Sequence, residues 1–260
     1  MSKAYILYNP KAGSGSIQDD LDALEVIVDD DIVFADLTKS EMPQCVLTEL
    51  EEDDYIILCG GDGTVNRFVN ELDGVDIPNE IFCFPCGLEN RFAEEYHAEY
   101  GGNPFSFTQR MKTLSKVNAD GRTYRFIRSV GFAPERCRES DLRSFDSRIM
   151  SAMRTYLSRY KPVGATVCVD GVEHRLAQVW IATTMQEQCG AQLSLTVLHG
   201  GSKLKTMATV SSLLKGKISE PRRGVSVFCG RNITVTLDEP RPLQIDGETI
   251  PDVVSYTATR

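Results

Sequence analysis

Gly60-Gly61-Asp62-Gly63-Thr64 is the string in this sequence best suited to carry chemistry. It follows the apolar run Tyr55–Cys59 and precedes Val65, Phe68, Val69 and Leu72, whose spacing predicts a helix. Paired glycines let the backbone approach a ligand closely and take up positive φ. Thr64 is expected to cap the helix, whose free N–H groups suit an anion. Asp62 would repel a phosphate, so its expected partner is a metal, a hydroxyl or the helix end. The usual nucleotide fingerprints are absent. There is no G-x-x-x-x-G-K-[ST], and neither Gly13-Ser14-Gly15 nor Gly61-Asp62-Gly63 has the third glycine of G-x-G-x-x-G. Asp-Gly alone is weak evidence, because it is a common turn dipeptide and occurs five times, at 62, 73, 120, 170 and 246.

Other reactive side chains point less sharply. Cys83-Phe84-Pro85-Cys86 is the only C-x-x-C, and no second pair completes a four-ligand zinc site. The eight cysteines (45, 59, 83, 86, 137, 168, 189, 229) lie in a chain too large to need disulfide stapling, and buried free thiols are expected. Histidines 97, 174 and 199 offer no i, i+4 pair and are read as structural, as is Trp180.

The elements that must position these residues alternate in the first half. Ala4–Tyr8 reads as a strand, Ile17, Leu21, Leu24 and Val28 as a helix, Ile32–Leu37 as a second strand, and Pro43 as the start of a helix carrying Val46, Leu47 and Leu50. Tyr55–Cys59 and Ile81–Phe84 follow as strands three and four, each leading into a glycine-bearing loop. Such strand–loop–helix units predict a parallel sheet with helices on both faces and ligands beyond the strands' carboxyl ends. The texture changes near Asp120-Gly121. Short β-type runs then dominate (124–130, 165–169, 177–182, 193–198, 225–229, 233–237 and 253–257), with helical stretches at about 146–159 and 203–214. The predicted fold is an α/β N-terminal domain with a parallel sheet, residues 1–121, and a mainly antiparallel β domain, residues 122–251.

Three motifs, in order and spacing, resemble the catalytic domain of the diacylglycerol kinase family, which includes bacterial lipid kinases and sphingosine kinases. They are Asn9-Pro10-Lys11-Ala12-Gly13, then Gly60-Gly61-Asp62-Gly63-Thr64-Val65-Asn66, then Pro85-Cys86-Gly87-Leu88-Glu89-Asn90-Arg91-Phe92-Ala93. The likeness extends through Ser129-Val130-Gly131-Phe132 to Asp246-Gly247-Glu248. It implies an NAD kinase/diacylglycerol kinase-like fold in which the terminal strand, residues 252–260, returns to the first domain. It implies transfer of the ATP γ-phosphate to a lipid hydroxyl, diacylglycerol-like, with Glu248 as the base. By the same resemblance Asp62 belongs to the catalytic set, and Asn9, Lys11, Thr38, Gly60, Gly61, Asp62, Gly63, Thr64, Asn66, Gly87 and Asn90 are the nucleotide-site residues.

The sequence departs from the family pattern where phosphate and metal would be held. Leu88 stands for a usual Thr, Arg91 for Asp and Arg67 for a frequent Glu. Gly190-Ala191-Gln192-Leu193-Ser194 replaces an Asp-Gly-x-Leu-Asp string and has neither carboxylate. Mg²⁺ needs oxygen ligands, mainly carboxylates, so no metal ligand is nominated and magnesium is expected to arrive with ATP. Arg67 and Arg91 are either replacements for a lost phosphate contact or solvated surface residues. The rival readings are a catalytically impaired nucleotide- or lipid-binding homologue and an NAD kinase. The latter also uses Gly-Gly-Asp-Gly-Thr but follows it with an Asn-Glu motif.

Composition sets the outer bounds. The 260 residues carry a formal net charge of −9, which argues against nucleic acid as partner. The charge is divided: residues 1–121 hold 8 Lys+Arg against 24 Asp+Glu, and residues 122–260 hold 20 against 13. The basic half includes Lys203, Lys205, Lys215, Lys217, Arg222 and Arg223, a surface suited to transient docking on an anionic membrane at about 1 kcal/mol per charge. No apolar run approaches the roughly 18 residues of a membrane span. A cytoplasmic protein is expected, peripheral at the inner membrane face, with its oligomeric state open.

Overall fold

The computed structural model describes residues 2–10, 17–39, 43–72, 75–86, 93, 96–134, 145–189, 192–214 and 224–260. The chain forms two compact units, Met1–Leu114 and Ser115–Arg260. The first is α/β with a mostly parallel sheet and the second is antiparallel β.

In the first unit the strands are β1 (Lys3–Tyr8), β2 (Asp31–Asp36), β3 (Tyr55–Gly60), β4 (Ile81–Pro85) and β5 (Phe105–Ser106). The helices are α1 (Ile17–Ile27), α2 (Gln44–Glu49), α3 (Asp62–Glu71) and α4 (Thr108–Lys112). The sheet runs β2-β1-β3-β4-β5, with the first four strands parallel and β5 antiparallel to β4. Ala4, Tyr5, Ile6 and Leu7 are all buried, as are Ile56 to Cys59, so β1 and β3 are apolar on both faces, the mark of a covered parallel sheet. Leu21 and Leu24 of α1 pack on Ile6, Ile57 and Phe84 on one face. Helix α3 buries Val65, Phe68 and Val69, as its 3.6-residue spacing requires.

Asp54 ties the amino ends of β1 and β3 together. Its carboxylate accepts the N–H of Glu51 at 2.9 Å and that of Lys3 at 2.8 Å, while the Asn79 amide donates to the Asp54 and Glu51 carbonyls at 2.8 Å each. The Glu51 N–H foremost, and then Lys3, hold the Asp54 carboxyl below its ordinary value against the opposing effect of burial. A carboxyl depressed in the folded state adds stability that is complete above its unfolded pKa, about 4, and is lost as pH falls through the folded value. The Asp54→Asn protein is therefore expected to lose stability less steeply than wild type below about pH 4, measured by urea denaturation across pH.

The second unit contains β6 (Ser115–Ala119), β7 (Arg122–Phe126), β8 (Ser129–Phe132), α5 (Phe145–Arg159), β9 (Val163–Val169), β10 (Val172–Cys189), β11 (Gln192–His199), α6 (Lys203–Leu214), β12 (Val225–Gly230), β13 (Asn232–Ile245) and β14 (Glu248–Thr259). Among the described residues its nine strands run β12-β11-β10-β8-β13-β14-β6-β7, and β9 bridges β10 and β13. The long strands β10 and β13 each pair with β9 over their first halves and with β8 over their second. Register breaks at Leu176/Val179 and Thr236/Arg241 allow the change of partner, so β10, β8, β13 and β9 form a closed ring. The ring and its neighbouring strands share one large core that includes Val130, Phe132, Val167, Leu195, Val235, Leu243 and Tyr256. A second cluster, with Met153 and Leu157 of α5 and Val210 of α6, covers Trp180, Ile181, Leu198 and Val225.

Asp120-Gly121, where the sequence texture changes, is the tip of the β6–β7 hairpin, with φ of 51° and 72°. Strand β6 lies in the second unit because its partners are β7 and β14. The terminal strand β14, expected from the resemblance to return to the first domain, pairs with β13 and β6 of the second unit.

Candidate functional site

Because β1 to β4 are parallel, their carboxyl ends share one edge of the first sheet. Along that edge stand Thr38 beyond β2, Asn9 beyond β1 and Gly60 to Asn66 beyond β3. The chain leaves β1 toward β2 on one side and returns to β3 on the other, so the topological switch point lies between β1 and β3, over Asn9 and Gly60. The Leu37 N–H donates to the Tyr8 carbonyl at 2.8 Å and holds the β2 exit beside the β1 exit.

The glycine loop is built more tightly than its sequence suggests. Gly60 ends β3, and Gly61 is the N-cap of α3 with φ −101° and ψ −168°. Neither residue is in the left-handed region, so the expected positive φ is not what demands glycine here. The demand comes from close approach: a Cβ on Gly60 would overlap the Thr64 side chain. Thr64 is thus the third helical residue folded back over Gly60, not the cap, and its N–H donates to the Gly61 carbonyl at 3.0 Å. Beside Gly63 the space is open, and nothing lies within 4 Å of where its Cβ would be. Asp62, Thr64 and Asn66 are buried, at 4%, 5% and 6% exposure. A carboxylate at the first helical position is favoured by the positive end of the helix dipole, which offsets part of the cost of burying Asp62. The loop therefore presents an α-helix start, two glycines at its entry and one exposed glycine backbone to any ligand at this edge.

Thr38 is exposed, and its N–H and hydroxyl both donate to Asp36 Oδ1, at 2.8 and 2.7 Å. Burial pushes the Asp36 carboxyl up, but these two bonds outweigh it and leave the net shift downward. Arg67 bonds Glu71 one turn along α3 at 2.5 Å, a surface ion pair that occupies its guanidinium. Lys11, Gly87, Leu88, Asn90 and Arg91 lie outside the described residues.

Glu248 is exposed at the first position of β14, where it pairs with Ile245 across the tight turn Asp246-Gly247. That turn has φ of 47° and 95°, the two positive values a two-residue hairpin demands. Asp246 is buried and anchors the turn. Its carboxylate accepts N–H groups from Ile127 at 2.5 Å and from Arg128 and Ser129 at 2.9 Å, and its own N–H donates to the Ser129 carbonyl at 2.9 Å. Two motifs 117 residues apart, at Ser129 and Asp246, are one structure. The run 124–130 accordingly splits into β7 and β8, because residues 127–129 turn around this carboxylate.

Sequence reasoning missed one contact at the sheet edge. Cys86 meets Cys59 rather than its motif partner Cys83, with the sulfurs 3.0 Å apart. Residues three apart on an extended strand face opposite sides, so the C-x-x-C spacing separates Cys83 from Cys86. Asp20 lies nearby, 8% exposed, and accepts the Tyr100 hydroxyl at 3.1 Å. Burial pushes the Asp20 carboxyl up, and burial followed by Asp20 pushes Tyr100 to about 12. Cysteines 45, 59, 83, 86 and 168 are free thiols, Cys45 being exposed, whereas Cys229 is disulfide-bonded, against the expectation of free thiols throughout.

Among the described residues no group of three or more His, Cys, Asp or Glu could hold a metal ion, and no helix is long and apolar enough to cross a membrane. Residues 3–119 match the family described as the diacylglycerol kinase catalytic domain. No curated protein matches the chain in sequence. Among solved structures, the chain is similar to a protein from Bacillus anthracis str. Sterne provisionally assigned as a diacylglycerol kinase. The two share 17% identity and a TM-score of 0.71, over 99% of this chain and 93% of that one. A second crystal structure, of a diacylglycerol kinase from the same organism, is 16% identical with a TM-score of 0.64, over 99% and 93%. At these identities the likeness establishes the fold.

Proposed function

Taking residues 3–119 as a member of the diacylglycerol kinase catalytic-domain family, we propose that the protein transfers the γ-phosphate of ATP to the hydroxyl of a diacylglycerol-like lipid. The observation that carries this reading is the shared edge of the first sheet. Asn9 and the Gly60–Asn66 loop stand there at the switch point, with Thr38 beside them beyond β2 and the start of α3 facing open space at Gly63. Free N–H groups at a helix start neutralise phosphate without a lysine. That suits a unit whose sequence is strongly acidic. Lys11, Gly87 and Asn90 are proposed for the same nucleotide on the strength of the family motifs.

Phosphoryl transfer asks for positioning and charge neutralisation more than for covalent catalysis. In the proposed step the lipid hydroxyl oxygen attacks the γ-phosphorus, the bond from that phosphorus to the ADP oxygen breaks, and Glu248 takes the hydroxyl proton. Glu248 is an exposed carboxylate on a hairpin that Asp246 fixes, so it is presented to solvent and held at its base. Asp62 is proposed to accept a hydroxyl of the nucleotide, since its charge would repel phosphate. Magnesium is proposed to enter with ATP, because the sequence lacks the family's carboxylate string at residues 190–194, and no step is assigned to it. Docking on an anionic membrane is proposed through the start of α6, where Leu204 is 80% exposed between Lys203 and Lys205.

The test is a radiolabel transfer assay with ATP·Mg on diacylglycerol in vesicles of varied anionic lipid content, run beside calorimetry with ATP·Mg. Labelled lipid that increases with anionic content is expected. Nucleotide binding with no transfer to any lipid of a panel would overturn the kinase reading in favour of a binding homologue. Transfer to NAD in place of lipid would overturn it in favour of an NAD kinase.

A further inference from the structure

We propose that Cys59 and Cys86 are a covalent modification site, a dithiol that a peroxide converts to a reversible disulfide. The two sulfurs lie 3.0 Å apart. Their strands are adjacent and parallel, with Cys59 of β3 opposite Phe84 of β4, and Cys86 lies two residues beyond Phe84 on the same face. Both cysteines are completely buried among Ile6, Leu24, Ile57 and Phe84. Two thiols held in contact by a packed parallel sheet have already lost the freedom that disulfide formation ordinarily costs.

Cys83 and Cys45 serve as internal controls. Cys83 is equally buried, at 1% exposure, but faces the other side of the sheet. Cys45 is exposed on α2. Exposure alone would make Cys45 the site of oxidation, and the motif alone would pair Cys83 with Cys86. The geometry selects neither.

The reaction balances with hydrogen peroxide as the named oxidant. One sulfur attacks the O–O bond, forms an S–O bond and releases water, leaving a sulfenic acid. The second sulfur attacks the first, an S–S bond forms, the S–O bond breaks and a second water leaves. The pair gives up two electrons and two protons, and the peroxide becomes two waters. Because reclosure of the sheet returns the resolving thiol to contact and shuts out solvent, the sulfenic acid closes to a disulfide before a second peroxide can reach it. The Cys86 contact, and after it burial, disfavour the Cys59 thiolate, so local opening of the segment sets the rate. The bond would join the residue before Gly60 to the residue before Gly87, and thus the roots of both glycine-bearing loops.

The experiment uses the full chain. Folded protein is treated with hydrogen peroxide, quenched in acid, denatured, alkylated and digested with trypsin. Cys45 and Cys59 share the fragment 40–67, and Cys83 and Cys86 share 68–91. A Cys45→Ser/Cys83→Ser protein is therefore treated in parallel, and in wild type the linked cysteines are assigned by fragmentation. The expected result is that 40–67 and 68–91 are joined through Cys59 and Cys86, about 2 Da below their summed mass, and are released by dithiothreitol. Oxidation of urea-unfolded protein should lose this preference. The proposal is overturned if Cys59 and Cys86 both remain alkylatable after Cys45 is consumed. It is equally overturned if the link runs through Cys83, or if the unfolded chain gives the same pairing.

Discussion

Replacing Glu248 with Gln is expected to lower lipid phosphorylation by about 10²–10⁴-fold, the usual contribution of a general base, or roughly 3–5 kcal/mol of barrier. ATP affinity should stay within about twofold, because the substitution removes a proton acceptor for the lipid hydroxyl and none of the residues proposed to hold the nucleotide. Gln keeps the shape and the hydrogen-bonding oxygen but cannot accept a proton at neutral pH. The side chain is exposed and the hairpin is anchored by Asp246, so folding should not change. Transfer kinetics with labelled ATP and calorimetry on the same preparation separate the two effects. Turnover at the wild-type rate would remove Glu248 from the mechanism. A parallel loss of ATP affinity would place it at the nucleotide instead.

Asp246→Ala is expected to cost about 3–5 kcal/mol of stability, read as a lower urea midpoint with a similar slope. The carboxylate accepts three backbone N–H groups, from Ile127, Arg128 and Ser129. Each buried donor left without an acceptor costs about 1–3 kcal/mol, with part recovered by water. Alanine also fits poorly at φ 47°, a left-handed conformation that Asp and Asn tolerate. Asp246→Asn, which keeps one carbonyl oxygen and the backbone preference, should lose roughly half as much. The two neighbouring carboxylates are thus expected to divide their work: a Glu248 variant that is stable and inactive, and an Asp246 variant that is unstable before it is anything else. A loss under about 1 kcal/mol for Asp246→Ala would show that residues 127–129 hold their turn without it.

The parallel sheet was legible because β1 and β3 are continuous apolar runs and α3 carries its stripe at helical spacing. Strand β5, with two residues, and α4, with five, are too short to show a period. Strand β6 does alternate, burying Ser115, Val117 and Ala119, but its partner β14 lies about 140 residues away and leaves no local trace. Asp-Gly could not be resolved by itself. At 62 it opens a helix, and at 120, 170 and 246 it tips hairpins with both residues at positive φ. The order of the residues along the sheet edge was readable, since parallel strands bring every following loop to one edge. The Cys59–Cys86 contact was not, because it depends on strand register, and the sequence offered the misleading pair 83–86.

The ring of β10, β8, β13 and β9 has a consequence for how the chain is made. Strand β9 needs β13, some 65 residues later, and β6 needs β14, which ends at Thr259. The inner strands cannot complete their hydrogen bonding until β14 has been synthesised, so Val167, Phe126 and their neighbours must wait as exposed apolar surface. The strands of residues 1–114, by contrast, pair only with one another and are complete long before β13 and β14 are made. The first unit should therefore fold while the second is still being translated. A nascent chain halted near residue 240 should resist protease over its first half and be cut throughout its second.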